Sequence, residues 1–284
     1  MTEPRVLRRR DAEFPQLLAA IHDPPRELYL RGGGTPEQLS YPAVAIVGAR
    51  ACSGYGRSVA RSLARELAAA GLLVVSGMAR GIDGEAHRGA LEGGGITCAV
   101  LGCGIDRDYP AAHAELARRI CERGLLVSEY EPGVEPAPWR FPARNRIIAG
   151  LCHATVVVEA RERSGALITA DFALEEGREV LAVPGEITSA LSGGTNALLR
   201  LGATPVTGAG DALEVFGLSP AQEVRTSVGS AAESLLRNLR EVALTADELV
   251  RMTGIDPAQA SGALVELELA RLITLEDGVY RASV

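Results

Sequence analysis

The sequence predicts an α/β protein: a doubly wound, mostly parallel sheet followed by a small C-terminal winged-helix domain. Three observations carry this. From Val44 to about Gly217, short apolar runs alternate with helix-period stretches at the interval of successive strand and helix units. Three of those runs, Val44-Ala-Ile-Val-Gly-Ala-Arg50, Leu72-Leu-Val-Val-Ser-Gly-Met-Ala-Arg80 and Thr155-Val-Val-Val-Glu-Ala-Arg161, stop at a small residue and an arginine-bearing turn. Beyond Ser219 the rhythm changes to three capped helix patterns and a hairpin. Runs rich in β-branched residues read as buried parallel strands. Their turns then line the carboxyl edge of the sheet, where ligands bind and helix N-termini present free N–H donors to anions. Arginines on that edge make it phosphate-seeking.

At 284 residues, 47% of them apolar and 23% charged, the chain is long enough for one large domain and a small one. No apolar run reaches the roughly 18 residues of a membrane span. The stretch from Met1 to Pro15 is basic, then acidic, and does not read as a secretory signal, so a cytoplasmic protein is expected. Cys52, Cys98, Cys103, Cys121 and Cys152 form no C-x-x-C spacing and read as reduced, mostly buried thiols. His22, His87, His113 and His153 form no H-x-x-x-H pair, and neither a metal nor a cofactor is expected. All 29 basic residues are arginine. The net charge of −7 disfavours nucleic acid on average. Salt confines each charge to about 8–10 Å, however, so a local arginine cluster outweighs the total.

Residues 1–40 form a lead-in packed on the main sheet, with a short helix over Phe14 to His22 and a turn at Gly32-Gly-Gly34. The main domain is 41–218, with strands at 44–47, 72–75, 97–101, 125–128, 155–158 and 180–183, the last closed by Pro184-Gly185. Its first helix, about 56–70 with Gly71 as C-cap, faces the core with Val59, Leu63 and Leu67, leaving Arg57, Arg61 and Arg65 as a solvated stripe. Residues 219–230 have linker composition, and 231–284 form the winged helix. Its helices start at Ala231, at the capping box Thr245-Ala-Asp-Glu248 and at Asp256-Pro257; a hairpin follows over Leu272-Ile-Thr-Leu275, Glu276-Asp-Gly278 and Val279-Tyr-Arg281. The third helix, 256–269, carries Glu266 and Glu268 and meets no basic residue before Arg271. From Ser219 onward 6 arginines face 10 acidic residues, a balance of −4 that predicts a protein contact rather than a DNA contact.

The turn Gly48-Ala-Arg-Ala-Cys-Ser-Gly-Tyr-Gly56 lacks the G-x-G-x-x-G dinucleotide spacing, and a chain without lysine has no Walker loop. Phosphate binding would use Arg50 with Ser53. The second turn, Ser76-Gly77-Met-Ala-Arg80-Gly81-Ile-Asp83, repeats the arrangement, with Asp83 expected to cap the helix through His87. Next come Leu101-Gly102-Cys-Gly104 with Tyr109-Pro110, and then Trp139-Arg-Phe-Pro-Ala-Arg-Asn-Arg146, which sets Arg140, Arg144, Asn145 and Arg146 beside Trp139 and Phe141. Aromatics are 4% of residues, yet Tyr55, Tyr109, Tyr130, Trp139 and Phe141 fall in or beside predicted loops. Arginine for phosphates and flat rings for bases suit a sequence-tolerant single-strand binder. Ser164-Gly165 through Thr169 and Ser192-Gly-Gly194-Thr195-Asn196 add hydroxyls and small residues before helix patterns, the form of an anion nest.

Taken in order, Gly48-Ala-Arg50, Ser76 to Asp83, Phe141-Pro-Ala-Arg-Asn-Arg-Ile-Ile148, Ser164-Gly-Ala-Leu-Ile-Thr-Ala170, Pro184-Gly185 and Gly194-Thr-Asn196 resemble the DprA/Smf family over about residues 14–205. The resemblance implies an extended Rossmann-like sheet and single-stranded DNA binding. It further implies homodimerisation and loading of RecA recombinase onto incoming DNA in natural transformation, without enzymatic activity. It makes Arg50 the family's DNA-binding arginine and gathers Ser53, Ser76, Gly77, Arg80, Gly81, Gly102, Gly104, Tyr109, Arg140, Phe141, Arg144, Asn145, Arg146, Ser164, Gly165, Thr169, Gly194, Thr195 and Asn196 into one DNA-binding set. At the Tyr109-Pro110 loop the family often has a basic residue followed by Asn, where this chain has Ala111 and His113. The family's frequent N-terminal helical domain has no counterpart in these residues. Two other readings stay open: a nucleotide-binding or nucleoside-phosphate-hydrolysing protein using Glu129 or Glu159 as base, and a dimeric scaffold.

Overall fold

A computed structural model describes residues 4–219, 228–270, 272–276 and 278–282. The chain divides into two compact units, Met1–Ala221 and Gln222–Val284. In the first, strands β1 (Arg5–Arg8), β2 (Glu27–Arg31), β3 (Ala43–Val47), β4 (Leu73–Ser76), β5 (Thr97–Val100), β6 (Leu125–Ser128), β7 (Ala154–Val157), β8 (Glu179–Ala182) and β9 (Thr204–Pro205) form one sheet in the order β1-β2-β6-β5-β4-β3-β7-β8-β9. All pairings from β6 through β9 are parallel. The helices are α1 (Gln16–Ala19), α2 (Gly54–Ala69), α3 (Ile82–Glu92), α4 (Ala114–Arg123), α5 (Arg140–Leu151), α6 (Gly165–Glu175), α7 (Gly193–Arg200) and α8 (Ala209–Glu214). The doubly wound sheet expected from the apolar runs is found.

Side chains along β3 alternate between two cores, as the pleat dictates. Ala43, Ala45 and Val47 join Leu18, Ile147, Ile148, Leu151 and Ala170 on the face covered by α1, α5 and α6. Val44 and Ile46 join Val59, Leu63, Leu67, Ile82 and Ala86 on the face covered by α2 and α3. Each fully buried Leu, Ile or Val side chain contributes about 1.5–3 kcal/mol. The strand order reverses at β3: successive units run outward through β4 and β5 to β6, and the chain then crosses through α5 to β7 on the other flank. In open α/β sheets a ligand crevice lies beyond the strand ends at such a switch point.

The lead-in belongs to the sheet itself. Antiparallel β2 pairs with β6 (Tyr29↔Ser128, Leu30↔Val127, Arg31↔Leu126), and β1 pairs with β2. Only Leu28 and Leu30 of β2 are buried, a run too short to stand out between charged residues. Among the described residues no helix is long and apolar enough to cross a membrane.

The second unit comprises α9 (Ser230–Glu241), α10 (Ala246–Thr253), α11 (Pro257–Leu269) and the antiparallel pair β10 (Ile273–Glu276) and β11 (Val279–Ala282). Thr245 and Glu248 form the reciprocal capping box at α10. The Asp256 carboxylate accepts from the Ala258 and Gln259 N–H groups ahead of Pro257. Leu235, Leu239, Leu249, Leu264, Leu267 and Ile273 fill the core. Of the expected linker 219–230, residues 220–227 lie outside the described residues, as do Arg271 and, in the expected hairpin turn, Asp277.

Candidate nucleic-acid interface

The turn after β3 is held from beneath by a buried carboxylate. Ser53 caps α2, its Oγ accepting from Gly56 N–H at 3.0 Å. The same hydroxyl donates to Glu159 from the end of β7, and Ser53 N–H donates to the other Glu159 oxygen at 2.9 Å. Arg50 is left at the surface. The turn after β4 locks against it: Ile82 N–H donates to Ala49 O at 3.2 Å. Gly81 sits at φ +77°, where an added Cβ would run into the Ala49 and Arg50 carbonyl oxygens.

Below the turns lies an internal ion pair. Arg144 donates to the Val100 carbonyl and, at 3.1 Å, to Asn145 Oδ1, with a third nitrogen 3.7 Å from Asp83 Oδ2. The two side chains are 6% and 9% exposed. Burial holds the Asp83 carboxyl above the usual carboxylate range, and Arg144 works against that shift. Asp83 does not cap α3 as expected: the N-cap is Gly81, and the carboxylate reaches past it to Ala79 N–H at 3.2 Å. A Cβ on Gly77 would collide with both members of the pair. His87 meets Gly77 O and Thr97 Oγ1, each at 2.7 Å, and burial pushes its pKa down to about 4. His113 Nδ1 lies 3.1 Å from Met78 O. The Gly77 to Arg80 loop is thus anchored from inside at two successive carbonyls.

Above this floor run two hollows of about 280 and 230 Å³ that share Arg50, Ala79, Phe141 and Arg144 and so form one furrow. One end is lined by Met78, Arg80, Leu101, Gly102, Tyr109 and Pro110. The other is lined by Gly48, Asn145, Ser164, Gly165 and Thr169. Over the middle, the Arg50 guanidinium lies 5.4 Å from the centroid of the Phe141 ring, which stacks on Tyr109 at 5.4 Å and 23°. Tyr109 is 45% exposed. Among the described residues neither Arg50 nor Arg80 has an ion-pair partner, and both are exposed. The furrow crosses the carboxyl edge at the topological switch.

Several expected contact residues face inward instead. The stretch from Arg140 is not a loop but α5, and its 3.6-residue period turns Arg144 toward the sheet with Ile147, Ile148 and Leu151. Arg146 is committed to Glu129 at 2.6 and 2.8 Å and to Asp23 at 2.9 Å. Ser76 Oγ donates to Ile46 O, and Thr195 Oγ1 donates to Ser192 O. Thr169 is buried, and Asn145 donates to Gly165 O at 3.0 Å. Asn196 brackets Gly185, accepting from its N–H and donating to its carbonyl, and Gly194 N–H donates to Ala160 O. Gly102 passes beneath Phe141, Gly104 N–H donates to Val134 O, and Ser164 caps α6. Of these, Gly102, Arg144, Asn145, Ser164, Gly165 and Thr169 line the furrow and the others brace the loops around it, while Arg50, Arg80, Tyr109, Phe141 and Arg140 can reach a ligand. The carboxylates of the open enzymatic reading are engaged, Glu159 with Ser53 and Glu129 with Arg146. Among the described residues no group of three or more His, Cys, Asp or Glu could hold a metal ion. The supporting roles of Glu159 and Asp83 had no signal in the sequence, since both pair with residues far along the chain.

The sequence model of the DNA recombination-mediator protein A family matches residues 5–217, and that of the DprA winged helix domain matches 219–278. The chain is 46% identical to the DNA processing protein DprA of Streptococcus pneumoniae over 207 residues, covering 72% of this chain and 71% of that one. It is 40% identical to protein Smf of Escherichia coli over 287 residues, covering 95% and 75%. The solved Streptococcus pneumoniae DprA superposes with a TM-score of 0.72 at 44% identity, covering 75% of this chain and 74% of that one. DNA processing protein A of Helicobacter pylori, solved for its single-stranded DNA binding mode, gives 0.67 at 30% identity, covering 75% and 95%. With both regions matched, this chain belongs to the DprA/Smf family of DNA-processing proteins.

Proposed function

We propose that this chain binds single-stranded DNA along the furrow and acts as a non-enzymatic recombination mediator, protecting the incoming strand and delivering it to the RecA recombinase during natural transformation. It works in the cytoplasm as a homodimer. The observation that carries the reading is the exposed Arg50 guanidinium, without an ion-pair partner among the described residues and resting on a ring that itself stacks on Tyr109. A phosphate meets the charge while a base meets the rings, and neither contact depends on sequence. Arg80, at one end of the furrow, supplies a further phosphate contact, and Arg140, just outside both hollows, supplies one to a strand that runs past that end. Arg144, Arg146, Asn145 and the serine, threonine and glycine positions hold the edge rigid, so little is lost to reorganisation on binding. The family description as a recombination mediator and the single-strand binding of the Helicobacter pylori relative support the same reading.

About three phosphate contacts give a log–log salt slope near 2, at about 0.7 per phosphate for single strands. Fluorescence anisotropy with a labelled oligothymidylate at increasing salt measures it. Arg50→Ala should weaken binding about tenfold and lower the slope by about 0.7, with an unchanged circular dichroism spectrum. Affinity indifferent to salt, or to Arg50→Ala, overturns the proposal.

A further inference from the structure

At the start of α5, outside both hollows, stands a second pairing of cation and rings. The Arg140 guanidinium lies 4.9 Å from the Trp139 ring centroid and 5.0 Å from that of Tyr130. Trp139 is the only tryptophan in the chain and is 63% exposed. The neighbouring Arg140 is held in place: its guanidinium donates to the Glu135 carbonyl, and its N–H donates to Ala137 O at 3.0 Å. Three carboxylates lie in this segment. Glu129 is paired with Arg146 and Glu135 with Arg107; Glu131 has no ion pair among the described residues. Arg140 therefore keeps its charge for an outside ligand, and the first turn of α5 holds no acidic residue.

The cluster adjoins the furrow through the backbone. Phe141, which lines both hollows, follows Arg140 directly, and Gly102 at the furrow's end packs against Phe141 and the Arg140 backbone. Tyr130 is tied to the same region, since its N–H donates to Ser128 Oγ, whose hydroxyl donates to Cys103 O. A large exposed indole beside a guanidinium that has no carboxylate partner among the described residues has the chemistry of a base-stacking platform.

We infer that Trp139, Arg140 and Tyr130 form a second stacking station for single-stranded nucleic acid, continuing the track that starts at Arg50, Phe141 and Tyr109. The inference rests on single-strand binding in the furrow and adds a subsite that only strands longer than the furrow can reach. A long strand stacks a base on Trp139 and sets a phosphate on Arg140; a short one fills the furrow alone.

Because Trp139 is the only indole, its fluorescence reports on the station directly. The full chain is titrated with oligothymidylates from about 4 to about 16 nucleotides, the range of single-strand site sizes. Quenching is expected above a threshold length and little below it. Trp139→Ala should cost about fivefold or more in affinity for the long strands and leave the shortest that bind unchanged. Trp139→Phe should recover part of that loss. Arg50→Ala weakens binding at every length, which separates the two stations. Long strands that bind without quenching, or with the same affinity in wild type and Trp139→Ala, overturn the second station and leave the furrow standing. Absence of binding at any length in wild type overturns both. If Trp139→Ala alters only handover to the recombinase and not strand affinity, the patch is a protein contact and the inference is also overturned.

Discussion

Arg50 and Arg144 line the same furrow and stand in motifs that read alike in sequence, yet the fold uses them in opposite ways. Arg50 is exposed, rests on Phe141 and has no carboxylate partner among the described residues. Arg144 is enclosed, its guanidinium divided among Val100 O, Asn145 and Asp83. The contrast shows why a phosphate-seeking edge needs more arginines than phosphates. An exposed guanidinium attracts the ligand only if the loops bearing it stay in place. Here Arg144 joins the end of β5 to Asp83 at the start of α3, and the adjacent Ile82 N–H holds the Arg50 turn through Ala49 O, so the inner charge rigidifies what the outer charge uses.

The sharpest test removes the inner residue. Arg144→Ala leaves Asp83 buried without its counter-ion and Val100 O without this donor, and should destabilise the first unit by about 3–5 kcal/mol in urea unfolding. If the variant is as stable as wild type and loses only DNA affinity, Arg144 is a ligand contact and the contrast fails. Acidification supplies a second reading. In wild type, burial already raises the Asp83 carboxyl, with Arg144 opposing. Without Arg144 the folded-state pKa rises further above the unfolded value, so the native state binds the extra proton and stability falls as pH rises through that interval. The deficit of Arg144→Ala should therefore shrink as the pH is lowered from 7 toward 5. A deficit constant with pH would place its cause in lost packing rather than in the stranded carboxylate.

The division between the two arginines was only half legible in the sequence. Strand ends and turns stood out because a buried parallel strand must be apolar and must stop at small residues. The motifs set Arg50 and the Arg144-Asn145-Arg146 segment side by side as the residues that argue for DNA. Nothing in them shows that Arg144 and Arg146 turn inward. Their direction depends on α5 starting at Arg140, and their partners Asp83, Glu129 and Asp23 are brought to them by the fold. Asp83 illustrates the same limit: a carboxylate near a helix start suggests a cap until the guanidinium beside it is known. The lead-in strands are silent in the sequence because β2 buries just Leu28 and Leu30, a pattern that gains meaning only beside β6.

The outer residue invites a finer test, in which the charge is kept and its shape changed. Arg50→Lys preserves the positive charge, so the salt slope should stay that of wild type. A lysine ammonium is a compact, strongly hydrated charge that cannot lie flat on Phe141 as a guanidinium does. The lost ring contact predicts about a three-fold weaker affinity, the scale of an exposed cation–π interaction of about 0.5–1 kcal/mol. Phe141→Leu removes the other half of the same contact, and with it the face on which a base would stack. If the ring and guanidinium act as one platform, the double variant should lose less than the two single losses combined, because each variant removes the same interaction. Strict additivity would mean that Arg50 meets its phosphate independently of Phe141, and that the 5.4 Å approach of charge to ring is incidental to binding.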